Sequence, residues 1–426
     1  MLAGPFGSGR GGVRRRGEEH VDDLGRPTRL VHRSEPRPGV TVDVLGESQK
    51  PLPGTRSDGR IPQRVEDRDG VAMGGSHRAA SRPGEVPGPG DGSLSMNVGG
   101  PGASGGAVAC TTEQTLLGEG ARWDARRDEL LRVDILAGRV YRDRVADDGS
   151  LVPVRTYSVP GTVGAIAPIE GDDGWLLAAG RGFVHLRPDG RQRTIAEVAP
   201  AGTRMNDAAC DPQGRYWAGT LADDHRAGGG ALYRLDRDGR VEQALGGLTI
   251  SNGLGWSPDG GTMYLADSIP GVIHAFVFDR ARGMLSGGRV LITIPEEVGA
   301  PDGLTVDAAG DLWVAVYGGG CVRRYAPNGV LRQVLEVPTE QSTCCAFGGP
   351  GMSRLYVTTA TEGWSSERRR AEPAAGLVYR LDTDAVGRPA LPFRPDADWW
   401  ASVRVPLQGP PLSRASASTG APDPMR

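Results

Sequence analysis

From about residue 110 to about residue 395, short apolar or alternating runs are broken at intervals of roughly 8–12 residues by turn clusters such as PQG, PDGG and AAGD, the pattern of an all-β sandwich, barrel or propeller. No segment holds a sustained helical period. One phrase recurs: NDAACDPQGRYWAGT from Asn206, NGLGWSPDGGTMYLADS from Asn252 and DGLTVDAAGDLWVAVY from Asp302, with EGARWDARRDELLRVDI from Glu119. In each copy the residue five places on (Asp124, Asp211, Ser257, Asp307) starts a turn, and a second apolar strand begins at Leu130, Tyr216, Met263 or Leu312. Weaker copies start at Ala165 and Cys345, so the six openings are spaced by 46, 41, 46, 50 and 43 residues. A period in the forties with about four strands per unit predicts an all-β, six-bladed β-propeller. The run TEQTLL, residues 112–117, is the candidate for the outer strand that closes the last blade.

In a propeller the innermost strands run the same way along a central channel, so equivalent first residues meet at one height. That ring reads Glu119, Ala165, Asn206, Asn252, Asp302, Cys345, and the returning second strands bring Asp134, Ala179, Thr220, Asp267, Val316 and Thr359 to the same face. Asn252-Gly253 and Asp302-Gly303 also read as ordinary turn dipeptides. Turn chemistry does not explain why Glu119 shares their register. Carboxylates crowded in a partly buried mouth repel one another unless a cation or raised pKa values relieve them.

Composition sharpens the boundaries. Of 23 aromatic residues only Phe6 precedes Trp123, and the first hundred or so residues are Gly-, Pro- and Arg-rich. Such a segment buries too little apolar surface to offset its ordering entropy. Residues 1–108 are therefore expected to form a disordered extension (a start at Met73 or Met96 is an alternative), residues 109–396 the propeller, and residues 397–426 a short loose C-terminal tail. Arg14, Arg15 and Arg16 are answered at once by Glu18, Glu19, Asp22 and Asp23, and the net charge is −3, so nothing points to nucleic acid. Five cysteines without paired spacing, no membrane-length apolar run and no secretory apolar core lead to the expectation of a reduced, cytoplasmic protein with no membrane partner.

Glutamate, aspartate and an asparagine carbonyl form a hard oxygen set that suits Ca²⁺, Mg²⁺ or Mn²⁺ better than Zn²⁺ or Fe²⁺, which favour imidazole. His185, His225 and His274 fall outside the ring, so neither a histidine zinc site nor a Ser–His–Asp triad is expected. Cys345 reads as a packed small residue, and Trp256 and Trp313 as core between blades.

LGEGARWD, RMNDAACDPQGRYWAGT, ISNGLGWSPDG, APDGLTVDAAGDLWVAVYGGG and STCCAFGG, in this order from about residue 116 to about residue 396, resemble the gluconolactonase family, which includes regucalcin and bacterial sugar-lactone hydrolases. The resemblance implies a metal-dependent lactonase with one divalent ion (Ca²⁺, Zn²⁺, Mn²⁺, Mg²⁺ or Fe²⁺) at the channel mouth. Carried over by motif, Glu119 of LGEG, Asn252 of SNGL and Asp302 of PDGL match metal ligands, and Asp302 also matches the general base. Arg204 and Asn206 of RMND match substrate-binding positions, and Asp224 of AGTLADD aligns with an acid that contacts substrate, where a longer glutamate can occur. The expected partner is a small-molecule sugar (aldono-) lactone, and the expected state a monomer. Two alternatives stand beside this one: a non-catalytic Ca²⁺- or metabolite-binding propeller, and a related propeller esterase acting on a non-sugar lactone.

Overall fold

The turn after each strong inner strand is held by the residue at which the repeat places it. Asp211 accepts the Gln213 and Arg215 amides at 2.8 and 3.1 Å and the Trp217 indole N–H at 3.0 Å. Asp307 does the same for the Asp311 amide and the Trp313 indole, both at 2.9 Å. Ser257 Oγ takes the Thr262 amide at 2.9 Å, and Asp124 takes the Arg126 amide at 3.1 Å. These are local side-chain turns that satisfy backbone donors and reverse the chain.

The computed structural model describes residues 106–399. Its strands form six four-stranded antiparallel sheets, the blades of a propeller. Five blades are continuous stretches of chain: residues 118–158, 163–197, 203–248, 251–293 and 300–336. The sixth takes Ser342–Gly348, Arg354–Thr359 and Val378–Asp382 from one end of the described chain and its outer strand, Val108–Ala109, from the other. The ring therefore closes through Val108 opposite Arg380 and Ala109 opposite Tyr379, upstream of the run 112–117 that the sequence suggested. Among the described residues the single α-helix is Ser366–Ala371, and no helix is long and apolar enough to cross a membrane.

Most of the expected extension and tail, residues 1–105 and 400–426, lies outside the described residues. At the described margins, Val108 pairs with the last blade and Trp399 is buried edge-on against Phe393.

The blades pack through their faces. Trp217 and Trp256 meet edge-on at 6.3 Å with Phe278 at 5.8 Å from each, and Trp313 stands edge-on to Phe347 at 5.4 Å. Truncating a buried aromatic of this kind costs about 3–5 kcal/mol, so these tryptophans are interblade core, as read from the sequence.

Each innermost strand carries a one-residue β-bulge near its start. In blades 1, 3, 4 and 5 two residues oppose one: Gly120–Ala121, Asn206–Asp207, Asn252–Gly253 and Asp302–Gly303. In blades 2 and 6 the extra residue is Gly164 or Thr343. A bulge re-aims side chains locally. The Asn-Gly and Asp-Gly pairs are thus bulges on the channel wall and not hairpin turns. Their glycines permit close approach of adjacent inner strands: a Cβ on Gly303 would lie 2.6 Å from Cys344 Sγ.

The far end of the channel is crossed by a strap, residues 386–394. Val386 O accepts the Ala308 amide, the Gly387 amide reaches Met352 O, Arg388 donates to Trp256 O, and the Phe393 and Arg394 amides reach Pro168 O and Gly214 O. The strap and Arg122 line a small cavity of about 100 Å³ at that end.

Candidate active site

At the opposite end, the starts of the inner strands bring Glu119, Asn206, Asn252 and Asp302 into one cavity of about 270 Å³, with Arg204, Ser268, Tyr317 and Glu362 on its wall. All four ring residues are buried. A chain of hydrogen bonds runs around the mouth. Arg204 Nη1 donates to Asn206 Oδ1 at 2.7 Å, Asn206 Nδ2 to Asn252 Oδ1 at 2.8 Å, Asn252 Nδ2 to Ser268 Oγ at 2.9 Å, and Ser268 Oγ to Pro301 O at 2.7 Å. The chain fixes both amides, and the Asn252 carbonyl oxygen keeps a second lone pair for another partner.

The two acids are differently placed. Glu119 Oε2 accepts its neighbour's Gly120 amide at 3.0 Å. Asp302 Oδ1 is buried with no hydrogen-bond partner in the protein. Burial first, then the Asp207 carboxylate, pushes Glu119 up to about 8. Burial, then Glu119 and Asp207, holds Asp302 far above the ordinary carboxylate range. Two buried acids that resist ionisation, an orphaned carboxylate oxygen and an amide carbonyl fit a hard divalent cation, whose charge removes both penalties. Among the described residues no three His, Cys, Asp or Glu side chains stand close enough together to hold a metal ion by themselves, so the candidate donor set here is two acids and an amide.

Beneath the mouth a third carboxylate, Asp207, is paired within the chain. Arg122 links the inner strands of the first and third blades, donating to Asp207 Oδ1 and Ala208 O at 3.0 Å each and to Ala121 O at 2.7 Å. Both partners are buried, and Asp207 Oδ2 has no partner. Arg122 of this pair also lines the cavity beneath the strap.

The structure thus brings together five of the six residues expected from the sequence and leaves one apart. Asp224 has a side chain 64% exposed and an ion pair with Arg226 at 2.9 Å, and does not line the cavity. The acid on the wall is instead Glu362, from the loop that follows the sixth blade's second strand. Glu362, Tyr317, Ser268 and the Arg122–Asp207 pair are absent from the sequence-derived set. Asp207 was visible only as the residue after Asn206, and Glu362 lay in a loop without periodicity. The acids read as lying behind the ring serve the backbone: Asp134 accepts the Leu116, Leu117 and Ala137 amides, and Asp267 those of Thr249 and Ile250. Cys345 is not in the ring. Its thiol donates to Trp313 O between blades 5 and 6, and Thr343 holds the bulge position.

The family model for the SMP-30/Gluconolactonase/LRE-like region matches residues 117–361. The chain is 37% identical over 284 residues to pentonolactonase XacC of Haloferax volcanii, covering 66% of this chain and 94% of that protein. It is 36% identical over 287 residues to regucalcin of Gallus gallus, covering 65% and 94%. Among solved structures it resembles a calcium-binding protein, regucalcin, from Agrobacterium tumefaciens, with a TM-score of 0.64, 30% identity and coverage of 68% and 98%. A luciferin-regenerating enzyme gives a TM-score of 0.61 at 30% identity, covering 66% of this chain and 96% of that one. With more than half of its length matched and the mouth built from the strand starts that the match spans, the chain belongs to the SMP-30/gluconolactonase/LRE-like family.

Proposed function

We propose that the protein is a metal-dependent hydrolase of sugar lactones. The observation that carries this is the mouth itself: Glu119, Asn252 and the partnerless Asp302 Oδ1 converge in a cavity whose adjoining wall presents the Arg204 guanidinium beside the Asn206 amide oxygen. Relatives that include a pentonolactonase support the same class of reaction.

Glu119, Asn252 and Asp302 would hold the ion, for which an all-oxygen set favours Ca²⁺, Mg²⁺ or Mn²⁺. When bound, a divalent cation supplies positive charge that keeps both acids ionised and polarises an ester carbonyl. Asp302 then acts as the general base, taking a proton at its carboxylate from the water that adds to the lactone carbonyl carbon. The bond from that carbon to the ring oxygen breaks, and the proton passes to the departing oxygen, which leaves as a hydroxyl of the open-chain acid. Arg204 orients the sugar hydroxyls as a donor, and Asn206, whose two N–H groups go to Ser251 O and Asn252 Oδ1, takes part through its Oδ1 as an acceptor. Arg204 Nη1 is already engaged by Asn206 Oδ1 and Met205 O, so Nη2 and Nε are the donors left for substrate. Leu117, Leu221, Ile250 and Ile269 line the same cavity and limit bulk water around the reacting ester.

The test is hydrolysis of an aldonolactone panel, followed with a pH indicator, by the full chain stripped of metal, restored with metal, and carrying Asp302→Ala. Metal-dependent hydrolysis that falls on the order of 10²–10⁴-fold in the variant supports the reading. A folded, metal-loaded wild type that leaves every lactone at its background rate refutes it, and the non-catalytic binding reading then takes its place.

A further inference from the structure

Glu362 is the charged wall residue that neither the expected ligand set nor the substrate donors use. Its backbone is clamped in both directions: the Glu362 amide donates to Gln341 Oε1 at 2.9 Å, and Gln341 Nε2 donates to Glu362 O at 3.0 Å. Its carboxylate accepts from the Tyr317 hydroxyl at 3.3 Å and lines the cavity with Arg204. The position is therefore built, although the residue sits in a loop.

Charge in the cavity gives this carboxylate a purpose. Glu119, Asp302 and Glu362 against Arg204 leave a formal −2 with His225 neutral, and a divalent cation brings the lining to zero. Glu119 and Asp302 belong with the cation, which leaves Glu362 as the acid on the same wall that balances Arg204, at a longer range than a direct ion pair. Of the acids that act on the Arg204 guanidinium, Glu362 pulls most strongly, ahead of Glu119, Asp223 and Asp302. An unanswered guanidinium in a half-buried cavity is a carboxylate receptor, because its forked donors match a carboxylate in bidentate geometry. Answered by a fixed acid, it remains a donor to neutral hydroxyls.

We propose that Glu362 sets the charge of the substrate, reserving the cavity for uncharged polyhydroxy lactones and disfavouring lactones that carry a free carboxylate. The same carboxylate repels the acid product and favours its release. This rests on the lactonase reading for its catalytic half. The repulsion itself is a property of the cavity, whatever the cavity does.

The experiment uses the calcium-loaded full chain as wild type, Glu362→Gln, Glu362→Ala and Glu362→Asp, each checked by thermal melting. The Gln341 clamp acts on the backbone, so the carboxylate is not needed for the loop's position, and the two carboxylate-free variants guard against one failing to fold. One readout is the ratio of kcat/KM for glucono-1,5-lactone to that for glucaro-1,4-lactone, which bears a free carboxylate. The other is the Kd of gluconate by calorimetry. One unit charge several ångströms away in a half-buried site changes either quantity on the order of tenfold. Loss of the carboxylate should lower the ratio and tighten gluconate by that factor, and Glu362→Asp should restore both toward wild type. An unchanged ratio and an unchanged gluconate Kd in both carboxylate-free variants overturn the proposal. If no lactone is turned over, the lactonase reading falls, and the gluconate titration alone decides the role of Glu362.

Discussion

Glu119 and Asp302 give the sharpest quantitative test of the site. In the cation-free protein the folded state holds the Glu119 proton to about 8, whereas the unfolded chain releases it near the ordinary 4.5. Between those values the folded state binds more protons than the unfolded one, so stability falls as pH rises. From pH 5 to pH 8, at 1.36 kcal/mol per pH unit, Glu119 alone sets a ceiling of roughly 4 kcal/mol. Relaxation and water entry reduce this to about 2 kcal/mol, or ~3 °C in Tm for a propeller of this size. Asp302, displaced in the same direction by the same causes, steepens the slope. The reference is Glu119→Gln/Asp302→Asn, which keeps the shapes and removes both titrations. Thermal unfolding in chelator should show wild type losing stability relative to the double variant across this window, and millimolar calcium should cancel the loss. Parallel Tm–pH curves for the two cation-free proteins would refute the reasoning, because the acids would then be neither buried nor coupled as described.

Other perturbations follow from the same geometry. Arg122→Met leaves the Asp207 carboxylate buried and unpaired and should cost about 3–5 kcal/mol in a denaturant titration, most of it recovered when Asp207→Asn is added. Gly303→Ala places a methyl against Cys344 and should lower stability by about 1–3 kcal/mol, read as Tm. Arg204→Lys loses the planar guanidinium whose Nη1 bonds Asn206, so KM for lactone should rise roughly tenfold while calorimetric metal affinity stays near wild type. Asp224→Ala should leave kcat/KM within about twofold, since its side chain lies in solvent on Arg226, and a large loss would mean that the loop closes onto substrate.

Blade number and strand count were legible because each of the four strong repeats carries a turn-holding Asp or Ser at the same place, and Asp211 and Asp307 each fix a turn and a tryptophan six residues on. Asn206, Asn252 and Asp302 were legible because spacing from those turns is constant. The weaker repeats misled for a physical reason: after the bulge the inner strand pairs over four residues in blade 2 and five in blade 6, against three in blades 3, 4 and 5, so a fixed count lands on Ala165 and Cys345 instead of Gly164 and Thr343. Glu119 shows the converse. Its backbone is one position earlier than the amides', opposite Val133 as Met205 is opposite Thr220, and it still lines the same cavity through a longer side chain. Glu362 and Asp224 show where counting ends. Both lie in loops, where only the packed chain decides which acid faces the cavity.

The composite sixth blade has a consequence for how the protein is made. Val108–Ala109 is synthesised hundreds of residues before its partner strand Val378–Asp382, and the inner strand Gly118–Asp124 must likewise wait for Ser342–Gly348. Until the last blade leaves the ribosome, the nascent ring has two raw faces and an unpaired edge, the kind of surface on which chaperones act and aggregates start. Closure joins contacts of the greatest sequence separation in the ring, so it belongs to the slow, late part of folding. Closure of this ring therefore waits for the last blade and is completed at a single seam.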